Sequence, residues 1–260
     1  MLSMFLLQYI NMGYQQSINH EPGDTMNTKI RDILESRLSA DIYQFGFADV
    51  RGLLDKKFER FTHAISIIRK LDDRIIDAIG DGPVIEYYDH YNAVNSELNI
   101  LVEQMSLEMR FTGKSFMPIC ATVSQENLDE SYKSTLTYAF SHKMAATRAG
   151  LGWIGKTDLL VSERFGPRVR LATILTDMDL DCTMQPITES RCGNCSLCVD
   201  ICPAKAASGQ LWNVTTGRDT FFDAFKCMEY CRKISREKLD EDISLCGKCI
   251  YICPKGKTQS

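Results

Sequence analysis

The sequence predicts an α+β protein in two parts: a mixed α/β domain over residues 26–180 and a small cysteine-dense module over residues 181–260. Three observations predict this. Short apolar, strand-like runs alternate with helical periodicity as far as about Leu180, residues 181–190 break that pattern and read as a linker, and nine of the eleven cysteines fall between Cys192 and Cys253. With 44% hydrophobic and 25% charged residues the chain has the composition of a folded domain. A net charge of −4 and a pI near 5.7 give no general pull toward nucleic acid or an anionic membrane.

Residues 1–25 read as an unstructured lead-in, and the functional chain is expected to start near Met26. The opening MLSMFLLQYI is apolar, yet it lacks the basic residues and the cleavage site of an export signal. No stretch approaches the ~20 apolar residues that span a bilayer, so no membrane partner is expected. Without an export signal, eleven cysteines point to the cytoplasm rather than to a secreted disulfide framework.

NTKIRDILESRL is helical, with Ile30, Ile33, Leu34 and Leu38 on one face. FGFADV and AISIIR are short buried strands. Asp81-Gly82-Pro83 breaks the chain before a long helix, roughly Ile85 to Met109. SFMPICATV reads as a strand and residues 137–149 as a helix. TDLLVS and VRLATIL are two strands joined by Glu163-Arg164-Phe165-Gly166-Pro167. About 155 residues of this kind bury a core of their own. The loop-rich module that follows would have little core without metal.

Cys192-Gly-Asn-Cys195-Ser-Leu-Cys198-Val-Asp-Ile-Cys202-Pro203 matches C-x2-C-x2-C-x3-C-P, the ligand run of bacterial ferredoxins, at every position. Two-residue gaps let a tight loop aim three sulfurs at one iron–sulfur cube while the fourth cysteine reaches a second. Cys246-Gly-Lys-Cys249-Ile-Tyr-Ile-Cys253-Pro254 repeats the end of that run with one cysteine fewer. The expected wiring crosses over: Cys192, Cys195, Cys198 and Cys253 on one [4Fe–4S] cluster, and Cys202, Cys246, Cys249 and Cys227 on the other. Cys231, one helical turn from Cys227, competes for the eighth place. Structural zinc is the alternative for isolated CxxC pairs, but the longer spacing and its proline favour two cubanes. Cys120 and Cys182 read as structural.

Gly150-Leu-Gly152-Trp-Ile-Gly155-Lys156-Thr157 fits both GxGxxG and GxxxxGK[ST]. Both nucleotide motifs require a strand before the glycines and a helix after them, so that a helix N-terminus faces phosphate. Here the order is inverted, which excludes both readings. Two remain open: a glycine-rich turn approaching a flat ligand, with Trp153 and Lys156 at its edge, or a helix end turning tightly into a strand.

AGLGWIGK at 149–156, LATILTD at 171–177 and the double cysteine run resemble the epoxyqueuosine reductase family, which is similar in turn to reductive dehalogenases. The resemblance implies a scaffold like that of nitroreductases and cobalamin-processing proteins, followed by a ferredoxin-like double-cluster module. It also implies cobalamin beside one cluster, with Gly152, Trp153, Gly155, Lys156 and Arg148 near the corrinoid. Asp223, four residues before Cys227, matches the family's DxxxC. Two departures count against tRNA as substrate and partner. Leu136 stands where the family carries its proton-donating aspartate, and the family's helical-repeat extension does not follow within the seven residues after Cys253. His142 and Tyr138 are the candidates to replace the acid, His142 because its ordinary pKa lies near neutrality.

The expected function is an iron–sulfur reductase. The alternative is an electron carrier, or a reactivator of a corrinoid protein, with no substrate of its own. Lys226, Arg232, Lys233, Arg236 and Lys238 would suit an acidic electron donor such as ferredoxin or flavodoxin.

Overall fold

The computed structural model describes residues 25–123 and 128–257. The expectations for residues 1–24 therefore lie outside the described residues.

Helix α1 (Met26–Arg37) starts at Thr25, whose hydroxyl accepts from the Thr28 amide, and buries Ile30 and Leu34 one turn apart. Strands β1 (Tyr43–Asp49) and β2 (His63–Lys70) form an antiparallel pair. The short α2 (Asp73–Asp77) and the long α3 (Ile85–Glu108) follow, then β3 (Phe116–Ile119), α4 (Glu130–Thr135) and α5 (His142–Arg148). A hairpin of β4 (Gly152–Ile154) and β5 (Leu160–Ser162) precedes β6 (Val169–Thr176). Four strands make one sheet in the order β1-β2-β6-β3, and every pairing in it is antiparallel.

The two-residue side-chain period of β2 decides the layers. Ile65 and Ile67 face a core shared with α1 and α3, while Ala64 and Ile68 face a second core under α5. Ala145, Ala146 and Ala149 let α5 lie close to the sheet. A Cβ on Gly46 of β1 would come within 3.0 Å of the Ala149 carbonyl oxygen, so glycine sets that approach.

Two sequence expectations are corrected locally. The helix expected at 137–149 starts only at His142, because the Ser141 hydroxyl accepts from the Met144 amide and caps it. The strand expected over SFMPICATV ends at Ile119, after which the chain leaves β6 and the Ala121 amide is taken by the Asn99 side chain. The turn reading of the glycine loop holds: α5 ends, Gly150 takes φ +70° and the chain enters β4, so no helix N-terminus faces the glycines.

The cysteine-rich segment carries α6 (Leu197–Asp200), α7 (Arg218–Phe221), α8 (Ala224–Leu239) and α9 (Lys248–Ile252). Its apolar side chains complete cores begun by the first part. Leu245 joins the α1–α3 core with Ile250 and Tyr251 beside it, and Phe221 is buried under α5. Arg218 donates to the carbonyls of Thr135 and Leu136 at the end of α4. Near the C-terminus the Lys255 carbonyl crosses Gly166 so closely that a Cβ there would be 2.0 Å from it. Buried Arg168 joins β6 to α2 through Asp73 at 2.9 Å and Asp77 at 2.5 Å.

Candidate metal centre

Each cysteine run is bent by a glycine in the left-handed region, Gly193 at φ +56° and Gly247 at φ +82°, and each enters a helix of one turn. Those helices, α6 and α9, pack on each other. The contact carries Cys253 from the second run to the first, so the Cys198 thiol has Cys253, Cys192 and Cys195 as its electrostatic neighbours. Cys249 has Cys246 and Cys227 as neighbours, and Tyr230 stands beside Cys246, Cys231 and Cys202. Cys253 thus lies beside a thiol of the first run.

Burial, and then the surrounding thiols, push Cys198 up to about 11, and the same causes raise Cys249. Soft donors gathered in two groups form a donor set suited to metal that takes them as thiolates. Among the described residues no three Cys, His, Asp or Glu side chains converge on the position of a single ion. The residues fit two clusters.

The second group contains a fifth thiol. Cys227 and Cys231 lie one turn apart on α8 with sulfurs 3.8 Å apart. Cys231 is buried with Ile234 and Ser235 on the helix's inner face, whereas Cys227 is part-exposed. Asp223, at the position of the family's DxxxC acid, caps α8 by accepting from the Lys226 amide.

The glycine loop lies against both groups. Trp153, 2% exposed, points its indole N–H at the Cys192 sulfur at 3.3 Å. Lys156, also buried, donates to the Cys195 carbonyl at 2.9 Å. A Cβ on Gly155 would sit 3.8 Å from the Cys192 sulfur, and one on Gly152 would strike the Val161 carbonyl. Arg148 is not brought to the thiols; it donates to the Asp49 carbonyl at the end of β1.

A cavity of about 280 Å³ opens beside α5, lined by Tyr91, Cys120, Tyr132, Tyr138, His142 and Arg170 among others. Both predicted catalytic side chains, His142 and Tyr138, reach it. Burial holds His142 down at about 4. Its Nε2–H donates to the Cys120 carbonyl at 3.0 Å, so its Nδ1 accepts from the Thr173 hydroxyl at 2.8 Å. It is neutral at pH 7 with both nitrogens engaged.

Sequence reading missed Tyr91, which stands beside Arg170. Arg170 lies 4.4 Å over the Tyr91 ring and is held by Asn95 at 2.7 Å. Burial would raise the Tyr91 phenol, but the Arg170 guanidinium and contacts to Thr122 and Asn95 outweigh it and bring the phenol below its ordinary value. One turn earlier on α3, Tyr87 packs against Gly247 and neighbours Cys249 and Cys246. A single helix thus links the second thiol group to the cavity. The signal for it was the four-residue spacing Tyr87–Tyr91, which reads in sequence as ordinary core.

The fold and site define a class: an α+β scaffold closed by an iron–sulfur module with two cluster positions. Residues 191–256 match the 4Fe-4S double cluster binding domain. The chain is similar to epoxyqueuosine reductase of Lactococcus garvieae (strain Lg2), at 35% identity over 119 residues, which is 43% of this chain and 31% of that protein. Among solved structures it resembles a reductive dehalogenase described for B12-dependent dehalogenation, with TM-score 0.61 and 17% identity over 84% of this chain and 30% of that one. It also resembles an epoxyqueuosine reductase bound to an epoxyqueuosine-modified tRNA-Tyr stem loop, with TM-score 0.57 and 14% identity over 88% and 66% of the two chains. The matched stretch spans about a third of that curated relative. Among the described residues no helix is long and apolar enough to cross a membrane.

Proposed function

We propose that this chain is an iron–sulfur reductase that acts on a small polar substrate in the cavity between α3 and α5. The observation that carries it is the run along α3, where Tyr87 touches the second cysteine group and Tyr91 opens on the cavity one turn later. When bound, the two clusters supply electrons one at a time. Arg170 binds and orients a polar or anionic oxygen of the substrate. Tyr91 donates one proton and water a second, for two electrons accepted, and the phenolate beside Arg170 regains its proton from solvent. His142, neutral, holds the Cys120 carbonyl and the Thr173 hydroxyl in place. The electron donor would be ferredoxin or flavodoxin, in a reducing cytoplasm that suits the eleven free cysteines.

Cobalamin is suggested by the dehalogenase likeness alone. A pocket of 280 Å³ is at the lower limit for a drug-sized ligand, about 300 Å³, and is too small for a corrin ring. No step is drawn through it. A tRNA substrate is suggested by the tRNA-bound relative, and Leu136, in the left-handed conformation at the end of α4, offers no acid for it.

The test is anaerobic. The protein is loaded with iron and sulfide and reduced, and cluster reoxidation is then followed by visible absorption after adding cob(II)alamin or an epoxyqueuosine-modified stem loop. Reoxidation by the stem loop supports a reductase, whereas reoxidation by cob(II)alamin alone is what a corrinoid reactivator would give. With the stem loop, whose reduction consumes protons, Tyr91→Phe slows turnover by roughly 10²-fold while both clusters persist. Two reducible clusters that neither acceptor reoxidises would favour the electron carrier.

A further inference from the structure

Among the buried polar groups near the thiols, one is aimed at a sulfur by a side chain with no other polar duty. Trp153 packs with Val161 and Ile187, with Trp212 and Cys192 at the edge of the cluster they form. Its indole nitrogen is a donor only, and a buried indole N–H normally finds a partner. Here the partner is the Cys192 sulfur at 3.3 Å. The hairpin leaves it little choice, since Gly152 and Gly155 bring the backbone so close to Val161 that a Cβ on either would clash. Behind Trp153, the buried ammonium of Lys156 is held at the Cys195 carbonyl. Near the second group the same loop continues to Asp158, whose carboxylate is paired with Lys143 at 2.5 Å.

We propose that Trp153, supported by Lys156, raises the reduction potential of the cluster held by Cys192, Cys195, Cys198 and Cys253. The inference rests on the two-cluster reading. Each sulfur becomes more negative when the cluster accepts its electron, so a fixed N–H donor favours the reduced form more than the oxidised one. A buried cation acts in the same direction. In this role Trp153 is a positioning residue acting through a ligand, not a group that touches substrate.

The experiment is a redox titration of the reconstituted protein followed by EPR, with Trp153→Phe against the unsubstituted chain. Phenylalanine retains ring packing and removes the N–H. The expected result is a three- to tenfold fall in the one-electron reduction constant of one cluster only, tenfold being about 59 mV. Pulsed EPR should also lose one exchangeable proton coupling at that cluster. Where the Phe variant fails to hold iron, replacing Trp153 by benzothienylalanine removes the N–H with the shape retained and tests the same point. Unchanged potentials and an unchanged proton coupling, with both clusters present, would overturn the inference. Fewer than two clusters in the unsubstituted chain would instead overturn the cluster reading on which it rests.

Discussion

The sheet-bearing part and the cysteine module are held together by different physics. In the first, alternating side chains of β2 fill two cores, and burial of Ile65, Ile67, Ile68, Leu98 and Val102 stabilises the fold through area removed from water. In the second, the described residues form helices of one turn besides α8, and the main buried apolar groups, Phe221 and Leu245, belong to cores begun elsewhere. What the module has of its own is thiols. The difference teaches that the module takes its order from two outside sources, metal on one side and the apolar faces of α3 and α5 on the other.

The largest test of that comparison removes a metal ligand. Cys227→Ala should lose one cluster, roughly 4 of 8 irons per chain, as measured by iron analysis and EPR. Cys231→Ala should retain both, because Cys227, four residues after Asp223, is the expected ligand and Cys231 is the more buried of the two. The reverse outcome would exchange the eighth ligand between the two positions.

A smaller effect is expected where the sheet-bearing part relies on charge rather than on apolar area. Arg168→Leu removes the partner of Asp73 and Asp77 and should cost about 3 kcal/mol, read from anaerobic urea unfolding of the loaded protein. A change below ~0.5 kcal/mol would show that Arg168 adds nothing beyond its packing.

The third effect appears only in acid. The His142 pKa is lower in the folded chain, about 4, than its ordinary 6.5, so the unfolded chain binds more protons between those values. The contribution of neutral His142 is full above pH 6.5 and is lost as pH falls toward 4, by at most about 3 kcal/mol. His142→Asn should therefore flatten the fall of stability across that window and leave the slope above pH 7 unchanged. An identical slope in both proteins would break the argument that His142 is buried and neutral.

Much of the metal centre was legible because cluster ligation constrains local spacing. Two-residue gaps between cysteines and a following proline are read directly, and so was the crossover that pairs Cys253 with the first run. The corrected elements were short and set by single contacts, such as the Ser141 cap that delays α5 and the Asn99 side chain that takes the amide beyond β3. Trp153 and Lys156 were singled out early as the edge of a flat-ligand site. Their polar atoms are instead engaged with Cys192 and the Cys195 carbonyl, 39 residues away in the chain. No local pattern carries that partnership.

The sequence alone determined local features of this protein: the spacing of its cysteine runs, that the glycine loop is no phosphate cradle, and where helical and two-residue periodicities alternate. Those properties depend on neighbours a few residues apart. Only the tertiary structure decided that Tyr87 and Tyr91 join a thiol group to a cavity, that His142 is neutral, and that one loop lies against both cysteine groups. Each of these depends on burial and on side chains from distant segments, and burial is a property of the whole packed chain.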